Sequence, residues 1–179
     1  MNKQPLFLKF TFMAILACIL VACHSVNGAE SQTISVGKEF EEYRKNVLEL
    51  LDERSFKIAE MLNHYTSIIE QPEEAHRYME EEVIPFMEES RKIASDAHDG
   101  LVNEEIRELN ETTIEYLGLT LDSLQKTADL SALEFVDPVT EETYQKAVKL
   151  NEENMELQEK IERTGVEMDR QIDALTNEQ

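Results

Sequence analysis

From Lys38 onward, apolar residues recur with a helical period. Val47, Leu51, Arg54, Ile58, Met61, Tyr65 and Ile68 step by alternating fours and threes, and Phe40 and Tyr43 extend the stripe backwards. Such spacing keeps side chains on one face of a 3.6-residue helix, and predicts a first helix over 38–70. Gln71-Pro72 ends it, because proline disfavours a helical residue before it and suits the first position of a new helix. The second helix runs over 72–99 on Met79, Val83, Phe86, Ser90, Ile93 and Ala97. Pro85 lies inside it, so a kink and a lost backbone bond near Glu81 are expected.

Asp99-Gly100 supplies a glycine stop, and Asn103-Glu104-Glu105 a fresh N-cap. The third helix is expected over 104–130 on Ile106, Leu109, Thr113, Leu117, Leu121, Leu124 and Ala128. Ser131 to Val136 reads as a loop whose Leu133 and Phe135 tuck over the bundle end. Asp137-Pro138 opens a fourth helix running to about 176, with Ala147, Leu150, Asn154, Leu157, Ile161, Thr164, Met168, Ile172 and Leu175 close to a coiled-coil seam. Short connections make sequence neighbours antiparallel. The predicted fold is all-α: an elongated, antiparallel four-helix bundle. Its rival joins the second and third helices through Gly100 into an extended three-helix coiled coil.

Ahead of the periodic region the chain changes character. Lys3 and Lys9 precede an almost wholly apolar run from Phe10 to Leu20, and the uncharged stretch ends near His24. That is short of the about 20 residues a membrane-spanning helix needs, and fits the charged and apolar regions of an export signal. The segment closes on Leu20-Val21-Ala22-Cys23, which resembles the lipobox of bacterial lipoproteins. The resemblance implies that the Cys23 thiol receives a diacylglyceryl group and that signal peptidase II cuts before it, giving an acylated protein held at the extracytoplasmic face of the cell membrane. Ile15-Leu16-Ala17-Cys18 fits less well because of its bulky Leu16. An ordinary secretory signal cut elsewhere, as after Ala29, is the competing reading. The domain plan is a signal peptide over 1–22, lipidated Cys23 and a flexible tether through residue 37, and a helical domain over 38–179. The tether His24–Gly37 would hold that domain about 20 Å from the anchor on average.

Charge then narrows the partners. The chain carries 38 Asp and Glu against 17 Lys and Arg, a net charge of −21. Loss of the two signal lysines would leave 38 acids against 15 bases, a net of −23. Nucleic-acid binding, which draws on cations facing phosphates, is argued against. The expected partners are the membrane, through the lipid on Cys23, and a protein whose surface is basic. With 5 Gly, 4 Pro and 2 Cys among 179 residues, neither a turn-rich β-sandwich nor a disulfide scaffold fits.

Candidate chemistry is sparse. Glu73-x-x-His76 has the spacing of a ferritin-like metal helix, but such a site needs a second copy of the motif, which the sequence lacks. Asp96, His98 and Asp99 read as end-capping polar groups, and Glu80-Glu81-Glu82 and Glu88-Glu89 as a solvated acidic face without an EF-hand loop. Asn110-Glu111-Thr112 is a formal glycosylation sequon. Nucleophile elbows, phosphate-binding glycine loops and HExxH are absent from the sequence. No enzymatic activity and no cofactor are expected. Arg54, Asn154 and Thr164 stand at seam positions, where polar groups set register and partner choice or line a polar cleft between helices.

The Cys anchor, the Glu-rich helices and the size together resemble the all-helical cell-wall-binding lipoproteins of Gram-positive bacteria. Those domains are Lys-rich and this one is acidic, which argues against direct attraction to anionic wall polymers. The expected function is a non-enzymatic spacer or interaction module at the cell envelope. The alternative is a ligand-binding or sensory bundle with its cleft near Arg54 or the Pro85 kink.

Overall fold

Ser35 caps the start of the first helix: its side-chain oxygen accepts from the Lys38 amide at 3.4 Å. The structure, a computed structural model, describes residues 34–134 and 139–177. Among them the secondary structure is helical throughout, with no strand. The helix α1 spans 36–68, α2 spans 72–98, α3 is Glu104–Leu133 and α4 is Glu141–Asn177. The lipobox, Cys23 and the leader lie outside the described residues, as do Phe135 to Pro138. Val36 and Gly37, expected in the tether, belong to α1.

The helices run alternately up and down. The start of α1 meets the start of α3, since Tyr43 reaches Asn110 and Thr113, and the start of α3 meets the end of α4, since Thr113 reaches Met168. The chain turns at Asp99–Asn103, so α2 and α3 are separate helices and the three-helix rod is not formed. At 1.5 Å per residue, α4 is about 55 Å long.

The core lies where α1, α2 and α3 converge. Phe40, Met79, Val83, Ile106 and Leu109 are fully enclosed there, each burial worth about 1.5–3 kcal/mol. Leu175 joins them from the end of α4. The buried positions run from Glu39 to Leu175, all within one compact unit, Ser31–Gln179.

Two π-helical turns correct the predicted stripes. In α2, Met79–Val83 is π-helical, and the Ile84 amide bonds to the Met79 carbonyl, five residues back. Pro85 follows directly and has no N–H to continue the α-helical ladder. The chain answers with a widened turn that rotates the helix beyond it. The buried positions become Ile84, Met87, Ser90 and Ala94, whereas Phe86, Ile93 and Ala97 stay half-buried. In α1, Arg44–Leu48 is likewise π-helical, which lets Tyr43, Val47 and Leu48 all face the core.

Both ends of the last connection also shift. The helix α3 continues to Leu133, three residues past its expected end, with Ser131 buried. The helix α4 starts at Glu141 because the Thr140 hydroxyl accepts the Thr143 amide at 3.1 Å, a stronger stop signal than the proline before it.

Candidate functional site

The three polar seam residues do not share one cleft. Arg54 belongs to the α1–α2 seam. Its Nε donates to Ser90 Oγ at 2.7 Å, and its Nη2 donates to the Phe86 carbonyl at 2.8 Å and to Glu89 at 3.2 Å. The guanidinium also stacks 3.8 Å from the Phe86 ring centroid, a cation–π contact that uses the flat face of that ring. The place beside the Pro85 turn is thus filled by Arg54 itself. Asn154 lies on the α3–α4 seam, where the Ser123 hydroxyl donates to its Oδ1 at 2.6 Å and accepts from Gln158 Nε2 at 2.6 Å. Thr164 is half-buried farther along α4. Lys126 and Glu153 close the outer edge of this seam; their hydrogen bond holds the carboxyl below its usual range and raises the ammonium.

The densest buried polar group sits where α1, α2, α3 and α4 meet. Tyr43 donates to Asn110 Oδ1 at 3.0 Å and stands 3.3 Å from Thr113 Oγ1. Because the Asn110 oxygen is thereby engaged, its amide nitrogen faces His98 Nδ1 at 3.2 Å. The other ring nitrogen, Nε2, lies 3.9 Å from Glu111. Burial pushes the Tyr43 hydroxyl up to about 12, partly offset by the bond to Thr113. Asn110 is fully buried, so the sequon is closed to a glycan and the side chain serves the core.

A second device closes the same end. Glu39 on α1 is only 4% exposed, yet it is fully partnered. Its Oε1 accepts the Val102 amide at 2.6 Å, and its Oε2 accepts the Asn103 amide and Asn103 Nδ2, both at 2.7 Å. Asn103 is the N-cap residue of α3, as expected, but its side chain does not cap its own helix; it donates instead to Glu39 and to the Ile34 carbonyl. Beside Glu104 and Glu105 of its own first turn, the positive end of α3 thus receives a carboxylate from another helix. Glu39 did not stand out in the sequence, and Asn110 did so only as a formal sequon, because each acquires its role from partners more than ten residues away.

Metal and ligand candidates resolve into structural contacts. His76 Nδ1 lies 3.0 Å from the Ala128 carbonyl and joins α2 to α3. Asp96 pairs with Lys92, and His98 enters the buried network instead of grouping with Asp96 and Asp99. Among the described residues no cluster of three or more His, Cys, Asp or Glu is placed to hold a metal ion, and no helix is long and apolar enough to cross a membrane. An open groove of about 480 Å³ runs between α2 and α3, with Arg91 and His98 facing Glu111, Glu115 and Asp122 over Gly118. No protein-family model matches the chain, and no curated protein and no solved structure resembles it significantly.

Proposed function

We propose that this chain is an exported lipoprotein, acylated on Cys23 and held at the extracytoplasmic face of the membrane, whose helical domain is a non-enzymatic spacer or interaction module. The observation that carries the reading is Leu20-Val21-Ala22-Cys23 in register behind two lysines and an apolar run. The layout of the domain supports it. The polar residues that could have lined a reaction cleft bond across helix seams, where they fix register and orientation. The acidic surface steers the module toward basic proteins and away from nucleic acid and anionic headgroups. The second reading, a sensory bundle with its cleft at Arg54, is weakened because Arg54 is stacked on Phe86 and bonded to Ser90.

The test is metabolic labelling with palmitate and membrane fractionation of the wild-type chain and Cys23→Ala. Wild type is expected to carry label and sediment with membranes, and Cys23→Ala to lose label and either leave the membrane or accumulate uncleaved. A Cys23→Ala protein that stays with membranes at the mature size overturns the reading.

A further inference from the structure

The α1–α4 seam of the bundle is open over most of its length. The helix α1 approaches α4 only through Val36–Tyr43, and from Glu49 to Ile68 it packs against α2. Among the described residues, the first two-thirds of α4 therefore rests on α3 alone. Asn154 marks the line of contact with α3. Successive residues of a helix are about 100° apart, so Glu153 lies to one side of that line and Met155 to the other. Glu153 is closed off by Lys126, which projects from the face of α3 opposite the core residues Leu124 and Ala128. Met155 is consequently on the inner side, toward the open seam.

That inner side is apolar. Tyr144, Val148, Met155 and Val166 fall within about 40° of one another on the helix. Tyr144 is 59% exposed, Met155 63% and Val166 65%, with Val148 half-buried. From Tyr144 to Val166 the stripe is about 33 Å long. Acids border one edge of it: Glu141, Glu152 and Glu159 lie along the margin away from α3, and Glu162 interrupts the stripe, all four exposed. From residue 141 to 177 there are ten acids against five bases.

We propose that the Tyr144–Val148–Met155–Val166 face of α4 is the docking surface for a basic amphipathic helix. The occupant follows from the shape and the charge. The vacant position lies alongside one helix of a bundle and has the length of about a 20-residue helix. An apolar row with one acidic margin, in a helix of ten acids and five bases, is complemented by an apolar stripe edged with Lys and Arg. A second copy of this chain would bring its own excess of acids to that margin, and an anionic membrane surface would be repelled by it. The inference deepens the interaction-module reading and does not depend on the anchor.

The test uses residues 31–179 and three fluorescent probes: a Leu/Lys amphipathic peptide of about 20 residues, a scrambled peptide of the same composition, and a Leu/Glu peptide with the same apolar pattern. The Leu/Lys peptide alone is expected to bind tightly. Met155→Asp and the double variant Val148→Asp/Met155→Asp are expected to weaken it about 10-fold or more, even though they add negative charge that would attract the probe. Gln145→Asp/Ala174→Asp, with two added charges at exposed positions off the stripe, should leave affinity within about 2-fold. Thermal melts establish that each variant is folded, and the highly exposed Met155 gives a variant free of core damage.

Absence of binding, equal binding of the scrambled or Leu/Glu peptide, or equal affinity of the stripe and control variants overturns the proposal. So does a wild-type dimer that Met155→Asp dissociates, since the occupant is then a second copy. A partner whose binding ignores Met155→Asp would preserve the module reading and sink this surface, so the two failures are distinguishable. The Cys23 result is independent of all of them.

Discussion

Replacing Glu39 should unfasten the start of α3 from the start of α1. The carboxylate accepts three hydrogen bonds, from the Val102 and Asn103 amides and from Asn103 Nδ2, at 2.6 to 2.7 Å. Hydrogen bonds to a charged group are worth about 1.5–3 kcal/mol each, and a donor left without an acceptor when buried costs about 1–3 kcal/mol. The favourable placement at a helix N-terminus adds about 0.3–1 kcal/mol. Val102 is 62% exposed, so water replaces part of what is lost there. The net for Glu39→Ala is therefore about 3 kcal/mol. Glu39→Gln keeps the shape and one acceptor, but turns an amide nitrogen toward donors, for a loss of about 2 kcal/mol. For a domain of this size each kcal/mol moves Tm by about 2–4 °C, which gives a drop of roughly 6–12 °C for the alanine variant and less for the glutamine. The assay is a far-UV circular dichroism melt of residues 31–179, with amide exchange read at Val102 and Asn103. Glu42→Ala, on the same helix but in an exposed pair with Lys38, is the control and should stay within about 0.5 kcal/mol. Glu39→Gln melting with wild type, or no faster exchange at the two amides, would refute the assignment of the carboxylate as the cap of α3.

Burial pushes Tyr43 up to about 12 against 10.0 in the open chain, so its contribution is complete below pH 10 and is lost as pH rises from 10 to 12, by up to about 3 kcal/mol; Tyr43→Phe should be less stable at neutral pH by about 1–2 kcal/mol, yet show a shallower alkaline decline in urea titrations. Asn154→Ala removes the acceptor of the buried Ser123 hydroxyl and should lower stability by about 1–2 kcal/mol, measured by the same titration. Gly118→Ala should raise Tm by about 2–4 °C, because an added Cβ would meet only the flexible Arg91 side chain, at 3.5 Å, and alanine gains about 0.8–1.0 kcal/mol of helix propensity.

The helices were legible because they are set by local repetition, and the π turns were not, because one extra residue leaves an apolar pattern readable in two registers. In α2 the sequence carries apolar residues both at Phe86 and Ile93 and at Met87 and Ala94. Either set makes an acceptable stripe, and only the widened turn before Pro85 selects the second. Proline was recognised as a disturbance, but its consequence depended on whether the helix bent or rewound, which the neighbouring helices decide. The seam polars divide in the same way. Arg54 and Asn154 stood out because they interrupt an apolar row, and both do bridge helices. Glu39 could not stand out among so many exposed acids. Its distinction is the 63 residues separating it from Val102, and a contact of that range leaves no periodic trace.

The same division explains why the surface of α4 is the informative one. Over Tyr144 to Val166 the helix carries two apolar rows: the one holding Leu157 and Ile161, which are buried, and the one holding Met155 and Val166, which are not. A helix that needs to rest on a single neighbour requires only the first row. The second adds exposed apolar area along a face that α1 does not reach. In a closed four-helix bundle both rows would be absorbed, one by α3 and one by α1. Here α1 leans on α2 through Arg54, Phe86 and Ser90, and the second row stays exposed with acids along one edge. Arg54, expected to mark a cleft, is instead part of the α1–α2 packing, while the inner side of α4 is left uncovered among the described residues.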